Sequence, residues 1–452
     1  MADERVLDLG RLDADVARAF RAVSRWRVEL AADPTLHVED DPFDGLRHTA
    51  GKSTWDALGA LTPSAAETPL RDALRYWVRW LIGVRVGGPD DVGWAAAAAE
   101  PVAYWAGEEP KLVSWRECWR GAAQARKAGE ARLWIEAAAG AATPLAHVAA
   151  TRASRRLELA RRLGLEHPWE GPARPAPEAL RSAARGILDA TEDVSRAVWR
   201  EALGRDFDAA DVIHSAVARE AAEGWPARLT ARWFDEAFRG GARGLRVALP
   251  SLPRATGASS FARALVAFGF AVRAATARAV PFALGREPDA ISAHRLGWVF
   301  GALASDEAFF VRSLGVGVRR AAAQARLLAR TALLETRLTA ARVLLGDDAR
   351  FAARDLFEEV VPRVFGSPLA PSLRGAWPTC REDEPSRFLA LLETPRLRGA
   401  LRDHFDVDWF VNPRAWAHLR AQGPVAAGER IPDADIGAAV VDVARAFEAA
   451  LA

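Results

Sequence analysis

Residues 261–303 read FARALVAFGFAVRAATARAVPFALGREPDAISAHRLGWVFGAL. Apolar and small residues at helical spacing fill the first half, Pro281 and Phe282 break the run, and a second helical stretch ends in Phe300 and Leu303. Few side chains here can do chemistry. His294 is the single imidazole, followed by Arg295, with Arg273 on the preceding helix. His294 and Arg295 could form a polar floor that receives a carboxylate. The plainer alternative is a histidine satisfied by a helix carbonyl or an acidic neighbour. The chain has eight histidines (His37, His48, His147, His167, His214, His294, His404 and His418), and no two lie within five residues of each other. No His-Glu-x-x-His therefore exists, the pattern in which two imidazoles on one helical face grip a single Zn²⁺.

The same stretch resembles the metal-binding helix pair of the oligoendopeptidase F and thimet oligopeptidase family. There a helix carrying Leu-His-Glu-x-Gly-His leads into a Pro-Phe loop, and a second helix supplies a glutamate as third ligand. Leu265, Gly269, Pro281, Phe282, Asp289, Phe300 and Leu303 fall at matching positions. The ligand positions differ. Val266 stands for the first histidine, Ala267 for the general-base glutamate, Phe270 for the second histidine and His294 for the ligand glutamate. Valine, alanine and phenylalanine offer no lone pair to a metal, and one imidazole cannot complete a three-ligand zinc site. The family also uses C-terminal tyrosines to stabilise the oxyanion. The only tyrosines here are Tyr76 and Tyr104, and CREDEPSRFLALL (380–392) has none.

The resemblance thus implies the family's fold without its zinc, its base or any catalytic residue. The expected function is that of a catalytically inactive zinc-oligopeptidase homologue, a pseudopeptidase that binds a peptide or protein, or pairs with an active peptidase as a hetero-oligomer. Val266, Ala267, Phe270 and His294 are its vestigial zinc-site positions, and Arg273, His294 and Arg295 its cleft candidates. Two alternatives stay open: an active metallopeptidase with a site built from scattered residues, and a helical scaffold with no ligand cleft. The likeness continues through 306–345 and through LRGALRDHFDVDWFVNPRAWAHLR (397–420), and is thinner over 150–240. It implies a mainly α, two-lobed fold with a deep central cleft. A small β-sheet is expected near 244–253, where GLRVALPSLP reads as strand. The Pro-rich segment 167–177 separates an expected N-terminal helical lobe (1–166) from a peptidase-like domain (178–452).

Composition narrows the partners. Formal net charge is +2, so no global field points to nucleic acid or an anionic membrane. Three lysines stand against 58 arginines, an imbalance read as codon bias, and acid-rich segments such as REDEPSR (381–387) read as solvated helix surface. Cys118 and Cys380 have neither metal nor redox spacing, and the charged N-terminus lacks an apolar signal core. A cytoplasmic location is the expectation.

Helical periodicity dominates the rest. LDADVARAFRAVSRWRVEL offers Asp13 or Asp15 to its N-terminus, and EPKLVSWRECWRGAAQARKAGEARLWIEAAA (109–139) reads as one helix. Breaks are expected at VGGPDDVG (86–93) and EHPWEGPARPAPEA (166–179). The 17 tryptophans read as core, with channel lining as the sharper alternative. GLRHTAGKST (45–54) has the wrong spacing for a phosphate loop and no strand before it, so it reads as an ordinary loop.

Overall fold

Leu12, Val16, Ala19, Val23, Trp26 and Leu30 recur at helical spacing, and they form the buried face of the first helix, α1 (Leu9–Ala32). Asp8 is its cap, accepting the Arg11 N–H at 3.0 Å. Asp13, expected near that role, instead reaches across the molecule to a loop described below.

The computed structural model describes residues 7–33, 41–171, 174–216, 229–243, 258–277, 281–346, 354–379, 381–421 and 433–452. After α1 come α2 (Lys52–Ala60), α3 (Thr68–Ala99), a two-stranded antiparallel hairpin (Val102–Tyr104 with Lys111–Val113), α4 (Trp115–Gln124), α5 (Ala128–Gly140) and α6 (Ala142–Arg162). Then follow α7 (Pro177–Ala190), α8 (Glu192–Leu203), α9 (Ala209–Ser215), α10 (Ala231–Ala237), α11 (Ala258–Thr276), α12 (Phe282–Gly285) and α13 (Ile291–Gly301). The series closes with α14 (Glu307–Leu314), α15 (Val318–Leu345), α16 (Arg354–Phe365), α17 (Glu384–Phe405), α18 (Pro413–Ala421) and α19 (Asp433–Leu451). The fold is mainly α, and among the described residues no helix is long and apolar enough to cross a membrane.

Local punctuation was overridden in two places. VGGPDDVG does not break the chain: α3 runs through it with Pro89 inside. Proline there forfeits a helical hydrogen bond. Tertiary ion pairs hold the segment in place, from Asp90 to Arg155 at 2.9 Å and from Asp91 to Arg152 at 2.7 Å. The 109–139 stretch is not one helix either. Lys111–Val113 pairs as a strand, and Ser114 then starts α4 with a reciprocal capping box to Glu117. The hairpin at 102–113 is the sheet found among the described residues, and GLRVALPSLP lies outside them.

Three large apolar clusters build most of the interior among the described residues. The largest joins Leu145, Ile187, Leu344, Val361 and Phe388, so it draws on residues on both sides of the Pro-rich segment, and α15 runs through it buried along most of its length. The second is aromatic, with Phe268 stacked on Phe234 at 4.6 Å and on Phe238 at 4.8 Å, behind α11 and α13. The third, N-terminal, cluster takes in Val16, Leu74, Trp77 and Leu81 together with Ala283 and Phe282 of α12. That last contact ties the Pro-Phe loop to the N-terminal helices. Asp13 accepts the Phe282 and Ala283 N–H groups at 2.9 and 2.8 Å, and the Trp77 indole donates to the Arg286 carbonyl at 3.0 Å.

Helices α11 and α13 touch backbone to backbone. A Cβ on Gly269 would stand 2.4 Å from the Leu296 carbonyl oxygen, closer than any side-chain carbon can approach. Glycine at 269 is therefore a requirement of this crossing.

Candidate functional site

Val266, Phe270 and His294 lie together along the α11–α13 crossing, and Ala267 is the α11 residue after Val266. A Cβ on Gly297 would lie 2.6 Å from Phe270 and 3.3 Å from Val266, and one on Gly301 would lie 2.5 Å from Val266. The valine and phenylalanine side chains thus fill the space above the two glycines. The His294 ring stands edge-on to Phe270, with centroids 4.9 Å apart. Its Nε2 is hydrogen-bonded to Asp383 Oδ2 at 2.9 Å. Burial resists ionisation of Asp383, but the His294 hydrogen bond and charge, with help from Arg381, outweigh it and hold the carboxyl below the usual aspartate range.

These residues do not suit a zinc ion. The apolar side chains at 266, 267 and 270 bring no donor, and the one imidazole is already engaged with Asp383. Among the described residues, no group of three or more His, Cys, Asp or Glu is arranged to hold a metal.

Arg273, His294 and Arg295, expected as cleft residues, are not among the side chains that line the nearby cavity. Each is turned to a carboxylate. Arg295 grips Glu393 with two hydrogen bonds of 2.6 and 3.0 Å. Arg273 is buried 3.9 Å from Glu287, whose own carboxyl is pushed up by burial despite a hydrogen bond from Ser292 and the charge of Arg273. His294 reaches the cavity only through Asp383, which does line it.

That cavity, of about 610 Å³, lies between α1, α3 and α6 on one side and the 288–290 and 379–383 segments on the other. Seven arginines and four carboxylates face it, with Tyr76, Trp80, Trp94 and Trp169 between them. At one wall Arg174 Nε bonds Asp289 Oδ2 at 3.0 Å, and the Ser386 hydroxyl donates to the same oxygen at 2.7 Å. Both ions are buried. Burial would raise the Asp289 pKa, but the Arg174 charge and hydrogen bonds from Ser386, Tyr76 and Arg174 prevail and lower it. The Tyr76 phenol is driven the other way, its ionisation suppressed mainly by burial. At the opposite wall Arg27 and Arg156 each hold Glu382 at 3.2 Å, and Arg27 and Arg152 share Asp91.

The REDEPSR segment, expected on the solvated surface, is the hinge of this arrangement. Glu382 and Asp383 face the cavity while Glu384 and Ser386 are fully buried. Its carboxylates meet arginines and a histidine far away in sequence, and nothing in its local pattern tells a paired acid from a solvated one. Arg79, Arg152 and Arg156 were likewise not singled out in the sequence. The available signal was their spacing, since Arg152 and Arg156 lie one turn apart on one helical face. Both readings of the tryptophans hold in part. Trp77, Trp199, Trp409 and Trp416 are core, whereas Trp80, Trp94 and Trp169 line the cavity.

No family model matches the sequence, and no curated protein matches it significantly. Solved structures do match in fold. PZ peptidase A with an inhibitor superposes with a TM-score of 0.60 over 98% of this chain and 97% of the other, at 9% identity. A structure described as oligoendopeptidase F from Bacillus anthracis gives 0.56 over 90% and 84%, at 11% identity. A structure described as a peptidase from Chlamydophila abortus gives 0.54 over 98% and 91%, at 9% identity. The chain therefore has a peptidase-like fold across almost its whole length.

Proposed function

We propose that this protein is a non-catalytic relative of the oligopeptidases, which binds a peptide segment and does not cleave it. The observation that carries the reading is the filling of the α11–α13 crossing. Val266 and Phe270 lie over Gly297 and Gly301, where the resemblance would place metal ligands. An apolar pair at a backbone-to-backbone crossing stabilises it by burial, and removes the polar groups that a working metal site keeps at the expense of stability. His294, at the remaining ligand position, is the partner of Asp383 and serves the cavity wall. The cavity itself favours a binding protein over a scaffold without a ligand cleft.

Purified protein should carry well under one zinc per chain by elemental analysis, and should leave fluorogenic oligopeptides intact with or without added Zn²⁺. Stoichiometric zinc together with chelator-sensitive cleavage would overturn the reading. Substituting His294→Ala should leave any residual peptide turnover unchanged, because no reacting atom depends on it.

A further inference from the structure

Arg381 acts on Asp383 beside it, and the other six arginines of the cavity divide into two groups. Arg27, Arg152, Arg156 and Arg174 all have carboxylate partners. Arg79 and Arg116 form no ion pair among the described residues. Arg79 bonds the backbone carbonyls of Pro168, at 2.7 Å, and Glu170, and burial works against its charge. Arg116, exposed at the rim, donates to the Ala31 carbonyl. A guanidinium on neutral carbonyls keeps most of its field for whatever enters beside it.

Their positions give that field a shape. The cavity follows α3 from Tyr76 to Ala95, a length of about 28 Å at the helical rise. Arg79 sits near the first end. Arg116 sits at the other, because its acceptor Ala31 lines the cavity next to Leu30, and Leu30 packs in one cluster with Ala95. About 24 Å of helix separates Arg79 from Ala95. An extended chain covers that distance in about seven residue steps. Beside the two ends stand Trp80, next to Arg79, and Trp94, next to Ala95, each with an arginine over its ring face, at 5.6 Å for Arg27 and 5.8 Å for Arg152. A compact anion would meet one of the two end arginines. A long acidic ligand meets both.

We propose that the groove along α3 takes an extended peptide of about eight residues with an acidic side chain toward each end, one received by Arg79 and the other by Arg116. The inference rests on the peptide-binding reading above and deepens it, by giving the ligand a charge pattern and a length. The acidic ends meet cations that hold no ion pair, the indoles flank those ends, and the middle passes arginines already committed to Asp91 and Glu382.

The test uses the full-length protein and three blocked octapeptides of alternating alanine and serine, ending at both termini in glutamate, in lysine or in uncharged residues. Calorimetric titration should find the glutamate-ended peptide bound at least about tenfold more tightly than the uncharged one, with affinity falling as salt rises. Arg79→Gln and Arg116→Glu should each weaken it by about tenfold or more, and moving both glutamates to one end should forfeit a similar factor. Arg116 is exposed, so its variant tests the idea even where Arg79→Gln loses its fold by circular dichroism. Equal binding of the three peptides would overturn the charge pattern while leaving peptide binding intact. Binding of none of them by folded protein would overturn both readings. Inorganic tripolyphosphate binding with Arg79 dependence, in the absence of peptide binding, would mark a small-anion site and also overturn the proposal.

Discussion

Replacing Arg174 by methionine is expected to remove about 3–5 kcal/mol of folding stability at neutral pH. The methionine fills much of the volume but leaves Asp289 ionised in a buried wall with only hydroxyl partners, Ser386 and Tyr76. The pH dependence separates this cause from lost packing. In the native protein the Asp289 pKa lies below the unfolded value of about 3.9. Its contribution is therefore complete above that value and is lost as pH falls through the lower folded value. In the methionine variant burial is no longer opposed by a cation, so the folded pKa rises above the unfolded one and the sign reverses. The penalty is then full at neutral pH and shrinks as pH falls through the raised value. Denaturant titrations at pH 7 and pH 4.5 should show the gap between variant and native protein narrowing at the lower pH. The double variant with Asp289→Asn should recover part of the loss at neutral pH. A gap that stays constant with pH would assign the loss to packing alone.

Gly269→Ala should cost about 3 kcal/mol, a large effect for one methyl group. The new Cβ would meet the Leu296 carbonyl at 2.4 Å and the Gly297 Cα at 2.8 Å, both backbone atoms of a packed helix that cannot swing aside. Relief requires α11 and α13 to separate, which uncovers Phe268 and Phe300 of the aromatic cluster. Gly437→Ala is the control. Its added methyl meets nothing within 4 Å on α19, where alanine is the better helix former, so stability should hold or rise by up to about 1 kcal/mol. Thermal unfolding of the two variants should therefore move in opposite directions or differ sharply. A Gly269→Ala protein as stable as the parent would mean that the crossing is looser than described.

The helix pair α11 and α13 was legible in advance, through the match of Leu265, Gly269, Phe300 and Leu303 to the family's metal-binding helices, whereas its backbone-to-backbone approach at Gly269 came from the structure. The absence of donor atoms at 266, 267 and 270 was legible too, because the ability to hold a metal depends on residue type. Helical content followed from periodicity, which reports on neighbours three and four residues apart. The same locality explains the misreadings. Pro89 suggested a break because its missing N–H is visible in sequence, while the arginines of α6 that hold Asp90 and Asp91 are about sixty positions away. REDEPSR suggested a solvated face because its partners are His294, 89 positions away, and Arg27, 355 positions away.

By itself, the sequence determined the predominance of helix and what chemistry the vestigial positions lack, since both depend on side chains and their near neighbours. The tertiary structure alone decided which charges face one another. The groove along α3, the burial of the Arg174–Asp289 pair and the two arginines without carboxylate partners arise from contacts between segments far apart in the chain. Whether a charge is spent on a partner or left for a ligand is a property of that three-dimensional pairing, and no local pattern encodes it.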